Sequence, residues 1–324
     1  MSEGKIPDFA SFNELEFDIP SVPSEEYHSS GKNLTRLFDR LCLYVKDPLD
    51  VSQFDTTSCF HPGNCGMGGR AKEIAKGKYH EARHSSELIK LKYGDAANCL
   101  ATVPGQYGVG FWSKHPIKSV QVISKLKWNQ FNRGVNLHVY HDPTGESIHE
   151  TIPLFDKCCL VIRVEIYGHS VYFVNFHAIP AYDFGNPHTP AIARNGDQLA
   201  FLEWLLRGET YFKVPKLLRD DHGNLLKPFA VKDRVIAMGD FNCDIWQETP
   251  GSMSLRRLRL CANTEIFPKK TPTTEGKRGG ETVPLQLDYI LARGVNMDTQ
   301  HAKVGDLNTL SDHKPLLVEL LINE

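Results

Sequence analysis

The 324-residue sequence predicts an α/β fold with mixed sheets around one core. Three observations predict it. Apolar runs of strand length recur in the second half of the chain: KCCLVIRVEIY (157–167), VYFVNFHAI (171–179), RVIAMGD (234–240), QLDYILAR (286–293) and KPLLVELLI (314–322). Two of these runs are separated by little more than Gly168 and His169, a spacing that suits a tight hairpin turn. Between the strands, PAIARNGDQLAFLEWLLRG (190–208) sets Leu199, Leu202, Leu205 and Leu206 at helical spacing and stops at Gly208. Hairpins combined with strand–helix–strand units give mixed sheets.

Taken in chain order, residues 1–33 are polar and contain Pro and Ser, which predicts an extension ahead of a domain spanning 34–324. LTRLFDRLCLYV (34–45) is the first apolar run, and its length suits strand or helix. TTSCFHPGNCGMGG (56–69) is a glycine-rich loop. RAKEIAKGKYHEARHSSELIKLKYG (70–94) is helix-like and breaks at Gly77. GVGFWSKHPI (108–117) predicts a strand stopped by Pro116. GGRAKEIAKGK lacks the lysine and hydroxyl spacing of a phosphate loop.

Hydrophobic residues make up 41% and charged residues 23%, with a formal net charge of −2, so no global basic field advertises nucleic acid. No apolar stretch reaches membrane-spanning length. The N-terminus lacks a charged segment followed by an apolar run, so an intracellular chain with reduced, mostly buried thiols is expected. The 8 cysteines form no CxxC pair, and Cys59, His61 and Cys65 match no standard zinc spacing.

Four polar clusters fall at the ends of apolar strands: His177, Asp240 with Asn242, Asp288, and Asp312 with His313. A single strand-end Asp is ordinarily a turn or cap residue. Four clusters of mutually suited chemistry are harder to dismiss, because acids and imidazoles are costly to bury unpaired. Together they suit hydrolysis of a phosphodiester assisted by a hard divalent cation. Carboxylates supply oxygen ligands, a histidine beside a carboxylate serves as base, and amide and imidazole groups stabilise the charge gathering on phosphorus. A serine hydrolase is disfavoured by the absence of G-x-S-x-G.

GDFN, LDYIL and SDHKPL, in this order and after NFHA, resemble the signature of the endonuclease/exonuclease/phosphatase superfamily, the deoxyribonuclease-I-like fold. GVGFWSKHPI and ARNGDQLAFLEWL are similar to that family's serine strand and its R-x-x-Q-L helix. The resemblance implies a four-layered sandwich of two packed mixed β-sheets flanked by helices, and Mg²⁺- or Mn²⁺-dependent phosphoester cleavage in an open cleft. By the same resemblance His313 is the base that activates water and Asp288 orients it. Asp312 binds metal, and Asp240 positions the nucleophile or the metal. Asn242 and His177 bind the phosphate, with His177 also able to protonate the leaving oxygen. The family's metal-binding Glu corresponds to Glu81, in HEARHSSELI, a stretch that resembles the sphingomyelinase branch. The family's first strand ends in Asn. Asn13 in SFNEL has the right local context, while LTRLFDRLCLY lies at a better distance and puts Asp39 there, the choice its strand-like surroundings favour.

The expected partner is a phosphodiester substrate, taken by a monomer with no transmembrane segment. A phospholipid such as sphingomyelin is the first expectation, with Trp128 and Phe131 in KLKWNQFNRG as an interfacial tip for peripheral membrane contact. Nucleic acid is the alternative, since the same rings lie beside Lys125, Lys127 and Arg133. A protein of this fold that is catalytically weakened and kept for binding is the third.

Overall fold

In the computed structural model the alternation of apolar residues along the strands sorts two cores, one on each face of a central sheet. The structure describes residues 7–15, 33–37, 57–65, 107–141, 147–183, 185–278, 281–306 and 311–322. The strands are β1 (Phe9–Leu15), β2 (Ser58–His61), β3 (Gly108–Ser113), β4 (Ile117–Ile123), β5 (Cys159–Ile166), β6 (His169–His177), β7 (Arg234–Asp240), β8 (Thr264–Phe267), β9 (Thr274–Arg278), β10 (Glu281–Leu285), β11 (Asp288–Arg293), β12 (Asn296–Val304) and β13 (Leu316–Leu321). The helices are α1 (Trp128–Phe131), α2 (Ala191–Arg207) and α3 (Pro250–Arg259).

Six strands form the central sheet in the order β4-β5-β6-β7-β11-β8. Every neighbouring pair is antiparallel except β6–β7, whose parallel crossover carries α2. Val174, Phe176, Ala237, Tyr289 and Leu291 point to one face and pack with α2 and α3 through Leu199, Leu202, Leu255 and Leu258. The residues between them, Phe173, Ile236, Met238 and Ile290, point to the other face. There they meet Val109 and Phe111 of a three-stranded sheet ordered β1-β3-β2, and Leu316, Val318 and Leu320 of a two-stranded sheet β12-β13. A second two-stranded sheet pairs β9 with β10. On the far face of β3, Gly110 meets Leu34 of a helical turn at 33–37. These layers form the mixed α/β sandwich expected from the sequence.

Some local expectations shift. Residues 9–15, assigned to a polar extension, form a strand that pairs with β3, and Phe9 packs against Phe173 of the central sheet. The β5–β6 hairpin turns one residue earlier than expected. Tyr167 and Gly168 both take positive φ, 49° and 80°, as a two-residue primed turn requires. The last strand pairs with β12 in a two-stranded sheet of its own that packs on the central sheet. Trp128 and Phe131 are both 0% exposed, so they are core and not an interfacial tip. The Trp128 indole N–H donates to Asp197 Oδ2 at 2.6 Å. Cys65 is in a disulfide, which corrects the expectation of reduced thiols at that position and removes it as a zinc ligand, while Cys59, Cys158, Cys159, Cys243 and Cys261 are free. Among the described residues no helix is long and apolar enough to cross a membrane.

Candidate active site

Register brings the first three site residues together. His177 ends β6, Asp240 ends β7 and Asp288 begins β11. His177 pairs with Asp240 across the parallel ladder, and Asp288 pairs with Asp240 across the antiparallel one. By the period of two, all three follow the face of Phe173, Ile236 and Ile290, towards the three-stranded sheet. Gly239 precedes Asp240 at φ 135°, where a Cβ would lie 2.0 Å from Phe176 O, so only glycine lets the strand end this way.

Helix α2 anchors the loops that leave these strands. Gln198 Oε1 accepts from Ile179 N at 2.8 Å, and Asn195 Nδ2 donates to Ile179 O at 2.6 Å and to Phe241 O at 3.0 Å. Asn242 takes the left-handed conformation (φ 49°) and folds back on Asp240. Its backbone N–H donates to Asp240 Oδ1 at 2.7 Å, and its amide donates to Asp240 Oδ2 at 2.9 Å and to Ala178 O at 3.0 Å. In this geometry Asn242 holds the Asp240 carboxylate, and a phosphate contact would need one of these bonds released.

The loop after β12 delivers His313. Thr274 forms a bridge with His313, and Lys314 N donates to Thr273 O at 2.7 Å. Thr273 Oγ1 also accepts from Leu287 N and Asp288 N, at 3.0 and 3.1 Å. His313 Nδ1 then lies 2.8 Å from Asp288 Oδ2. Burial opposes the charge on His313. The hydrogen bond and charge of Asp288, with Asp240 and Asp312 adding, outweigh it and push the pKa up to about 9. The Asp240 carboxyl is also raised, which for an acid favours the neutral form: burial, then the Asp288 charge, lifts it well above the usual range. His177 is held neutral by burial and by the nearby charges of Lys157 and His313. Its Nε2 lies 3.6 Å from Asp240 Oδ2, and its Nδ1 is buried with no hydrogen-bond partner among the described residues.

Ligand atoms of Asp240, Asp288 and His313 all lie within 4.8 Å of one another. Two carboxylates this close, one of them buried, call for a compensating cation, and their oxygen donors suit a hard divalent ion. Asp312 stands beside the group: its backbone O accepts from Thr274 Oγ1 at 2.7 Å and its charge reaches His313.

Two groups enter the site that sequence reasoning did not assign to it. Strand β1 has a register shift between Phe12 and Leu15, and Glu14 within it takes φ 58°. A bulge of this kind re-aims a side chain. Glu14 Oε1 comes within 3.9 Å of His177 Nε2 and feels the charges of Lys157, His313, Asp312 and Asp288. Beside it Asn13 sits against Gly239, its Oδ1 buried and without a partner among the described residues. The second group is Lys157, 4% exposed, which donates to Asp156 Oδ2 at 2.7 Å and to Ala178 O at 3.2 Å. Asn13 is the alternative to Asp39 that SFNEL offered, while Glu14 beside it carried no signal of its own; for Lys157 the signal was a lysine directly ahead of an apolar strand. Glu81 and Asp39 lie outside the described residues.

Residues 49–313 match the family described as the Endonuclease/Exonuclease/phosphatase family. No curated protein matches the sequence. Among solved structures, the chain resembles the endonuclease/exonuclease/phosphatase from Beutenbergia cavernae DSM 12333 at 14% identity and TM-score 0.50, over 97% of this chain and 62% of that one. The chain thus spans less than two thirds of that protein's length. It is also similar to an endonuclease/exonuclease/phosphatase family protein from Leptotrichia buccalis C-1013-b (14% identity, TM-score 0.46, 97% and 88% covered) and to sphingomyelinase C from Streptomyces griseocarneus (16%, 0.36, 69% and 70%). At 14% identity the likeness to the Beutenbergia cavernae protein is one of fold alone.

Proposed function

Because the chain belongs to the Endonuclease/Exonuclease/phosphatase family, we propose that it is a divalent-metal-dependent phosphodiesterase in which His313 takes the proton of the attacking water. The observation that carries this reading is the convergence of Asp240, Asp288 and His313 at one end of three adjacent strands. The Asp288 carboxylate accepts from Nδ1 of His313, which selects the tautomer that leaves Nε2 as the base. Asp240 and Asp288 would hold a divalent cation such as Mg²⁺ or Mn²⁺, which would supply Lewis-acid polarisation of a phosphoryl oxygen and offset the carboxylate charge. Offsetting that charge would weaken the support the carboxylates give the His313 imidazolium and so favour its neutral form. Asp240 and Asp288 are the inner donors of this proposal, with Asp312 and Glu14 as further carboxylates at the rim. Neutral His177 is suited to donate a hydrogen bond to the phosphate and has no proton to spare for a leaving group.

The phospholipid reading rested in part on Trp128 and Phe131, which are core, so the substrate stays a phosphodiester at this level. The test offers the protein with Mg²⁺ bis(p-nitrophenyl) phosphate, plasmid DNA and sphingomyelin vesicles in parallel. Turnover of the small diester is expected, falling about 10²- to 10⁴-fold in His313→Ala. Equal turnover by wild type and variant would overturn the role of His313, and no turnover of any substrate by either would favour a binding protein that keeps the fold.

A further inference from the structure

We propose that Trp246, Arg259 and Lys270 form a subsite for single-stranded nucleic acid beside the carboxylate–histidine centre, with a base stacked on the indole and backbone phosphates on the two cations. The inference deepens the phosphodiesterase reading by naming a substrate class, and it rests on that reading for its meaning.

Trp246 is 48% exposed, whereas Trp112, Trp128 and Trp204 are at most 6% exposed. Its backbone is nevertheless pinned. Ile245 N donates to Tyr289 Oη at 3.0 Å, and Trp246 N donates to Asp244 Oδ1 at 2.9 Å. Arg256 Nε donates to Ile245 O at 2.9 Å, and its guanidinium also bonds Gln247 O, so the carbonyls on both sides of Trp246 are held. An exposed indole on a fixed backbone is a stacking platform whose ordering entropy is already spent.

Two cations share that ring. The Arg259 guanidinium carbon lies 5.3 Å from its centroid and the Lys270 ammonium 5.8 Å. Neither has a carboxylate partner among the described residues, and Lys269 beside them is exposed as well. The platform also flanks the catalytic strand end. Tyr289 Oη, next to Asp288, donates to Cys243 O at 3.1 Å, and Phe241 N donates to Leu287 O at 2.9 Å. On the other side Gln286 Nε2 donates to Pro268 O at 2.7 Å, and Thr273 holds Asp288 N. Trp246 and Lys270 thus sit on the two loops that bracket residues 286–288.

A ligand that fits both parts must pair flat rings with regularly spaced anions. Single-stranded nucleic acid does so, and stacking on an aromatic side chain is indifferent to base identity. A choline headgroup is cationic and is repelled by Arg259 and Lys270. An inositol phosphate supplies anions without an aromatic face.

The probe is a fluorescein-labelled single-stranded oligodeoxynucleotide, mixed with the full chain in EDTA and followed by anisotropy, with indole quenching of the unlabelled strand as a second readout. Binding is expected to weaken about 5- to 150-fold in Trp246→Ala and to be largely kept in Trp246→Phe. Removing the cations in the Arg259→Ala, Lys270→Ala double variant should flatten the slope of log K against log salt by about 1.4. An abasic strand of equal length should bind wild type and Trp246→Ala alike. Wild-type affinity in Trp246→Ala, with an unchanged melting temperature, would overturn the proposal. So would Trp246-dependent binding of phosphatidylserine vesicles without binding of the oligonucleotide. His313→Ala is carried in parallel: it should bind the strand and fail to cleave the small diester. Loss of the subsite with His313-dependent cleavage intact would therefore leave the phosphodiesterase reading standing.

Discussion

Replacing Asp288 by asparagine keeps the shape of the group that holds His313 and removes its charge. The two side chains meet at 2.8 Å and are both largely shielded, with 15% and 27% of their side-chain surfaces exposed. Burial alone would hold His313 below an ordinary 6.5, and the carboxylates carry it up to about 9. That difference favours the imidazolium by about 3 kcal/mol. Asparagine still offers an oxygen to Nδ1, but the desolvation that opposes the charge now acts against Asp240 and Asp312 alone. His313 of metal-free Asp288→Asn should therefore titrate about two pH units lower than in wild type, read from its imidazole proton resonance in EDTA and assigned by difference from His313→Ala. Stability should follow with a definite sign. A histidine raised in the folded state stabilises fully below pH 6.5, and that contribution is lost as pH rises through about 9. The gap between wild type and variant in urea unfolding should be widest near pH 6 and narrow by pH 9.5. A variant whose His313 still titrates near 9 would refute the argument that Asp288 supports its charge.

Other consequences are open to simpler measurements. Glu14→Gln should weaken Mn²⁺ binding about tenfold by calorimetry; unchanged affinity would place Glu14 outside the metal's reach. His61 is half-buried and held neutral, its Nδ1 accepting from Gly63 N at 3.0 Å, with a pKa lowered to about 4 by desolvation. Stability should fall as pH drops from 6.5 towards 4, by about 3 kcal/mol from this group. His61→Asn, which keeps an acceptor but cannot titrate, should flatten that part of the profile. Trp128→Ala should destabilise the fold by about 3–5 kcal/mol in urea, through the lost core volume and the lost donor to Asp197. A near-neutral result would contradict its place in the core.

Much of the site was legible because direction along a strand is a local property. RVIAMGD alternates two faces and ends on a carboxylate, and QLDYILAR carries one just ahead of its apolar run, so Asp240 and Asp288 were set near strand ends by their own segments. The SDHKPL stretch likewise put Asp312 and His313 together. The helix at 191–207 followed from leucine spacing, and its Asn195 and Gln198 turned out to clamp the loops after β6 and β7. What a strand faces is not local. That Glu14 and Asn13 approach His177 and Gly239 depends on how the three-stranded sheet packs on the central one, and nothing within FASFNEL encodes that distance. The tryptophans make the same point. Trp128 and Trp246 each lie near basic residues in the sequence or in space, and of the two only Trp128 was expected at an interface. Asp197 of α2 draws Trp128 into the core, while Tyr289 and Arg256 pin the loop of Trp246 and leave its ring in water. By itself, then, the sequence determined which residues stand at strand ends and which chemistry they carry, because pleating and propensity act between near neighbours. Only the tertiary structure decided which rings are core, which cations are buried and which carboxylates join the centre, because burial is a property of whatever packs across the gap.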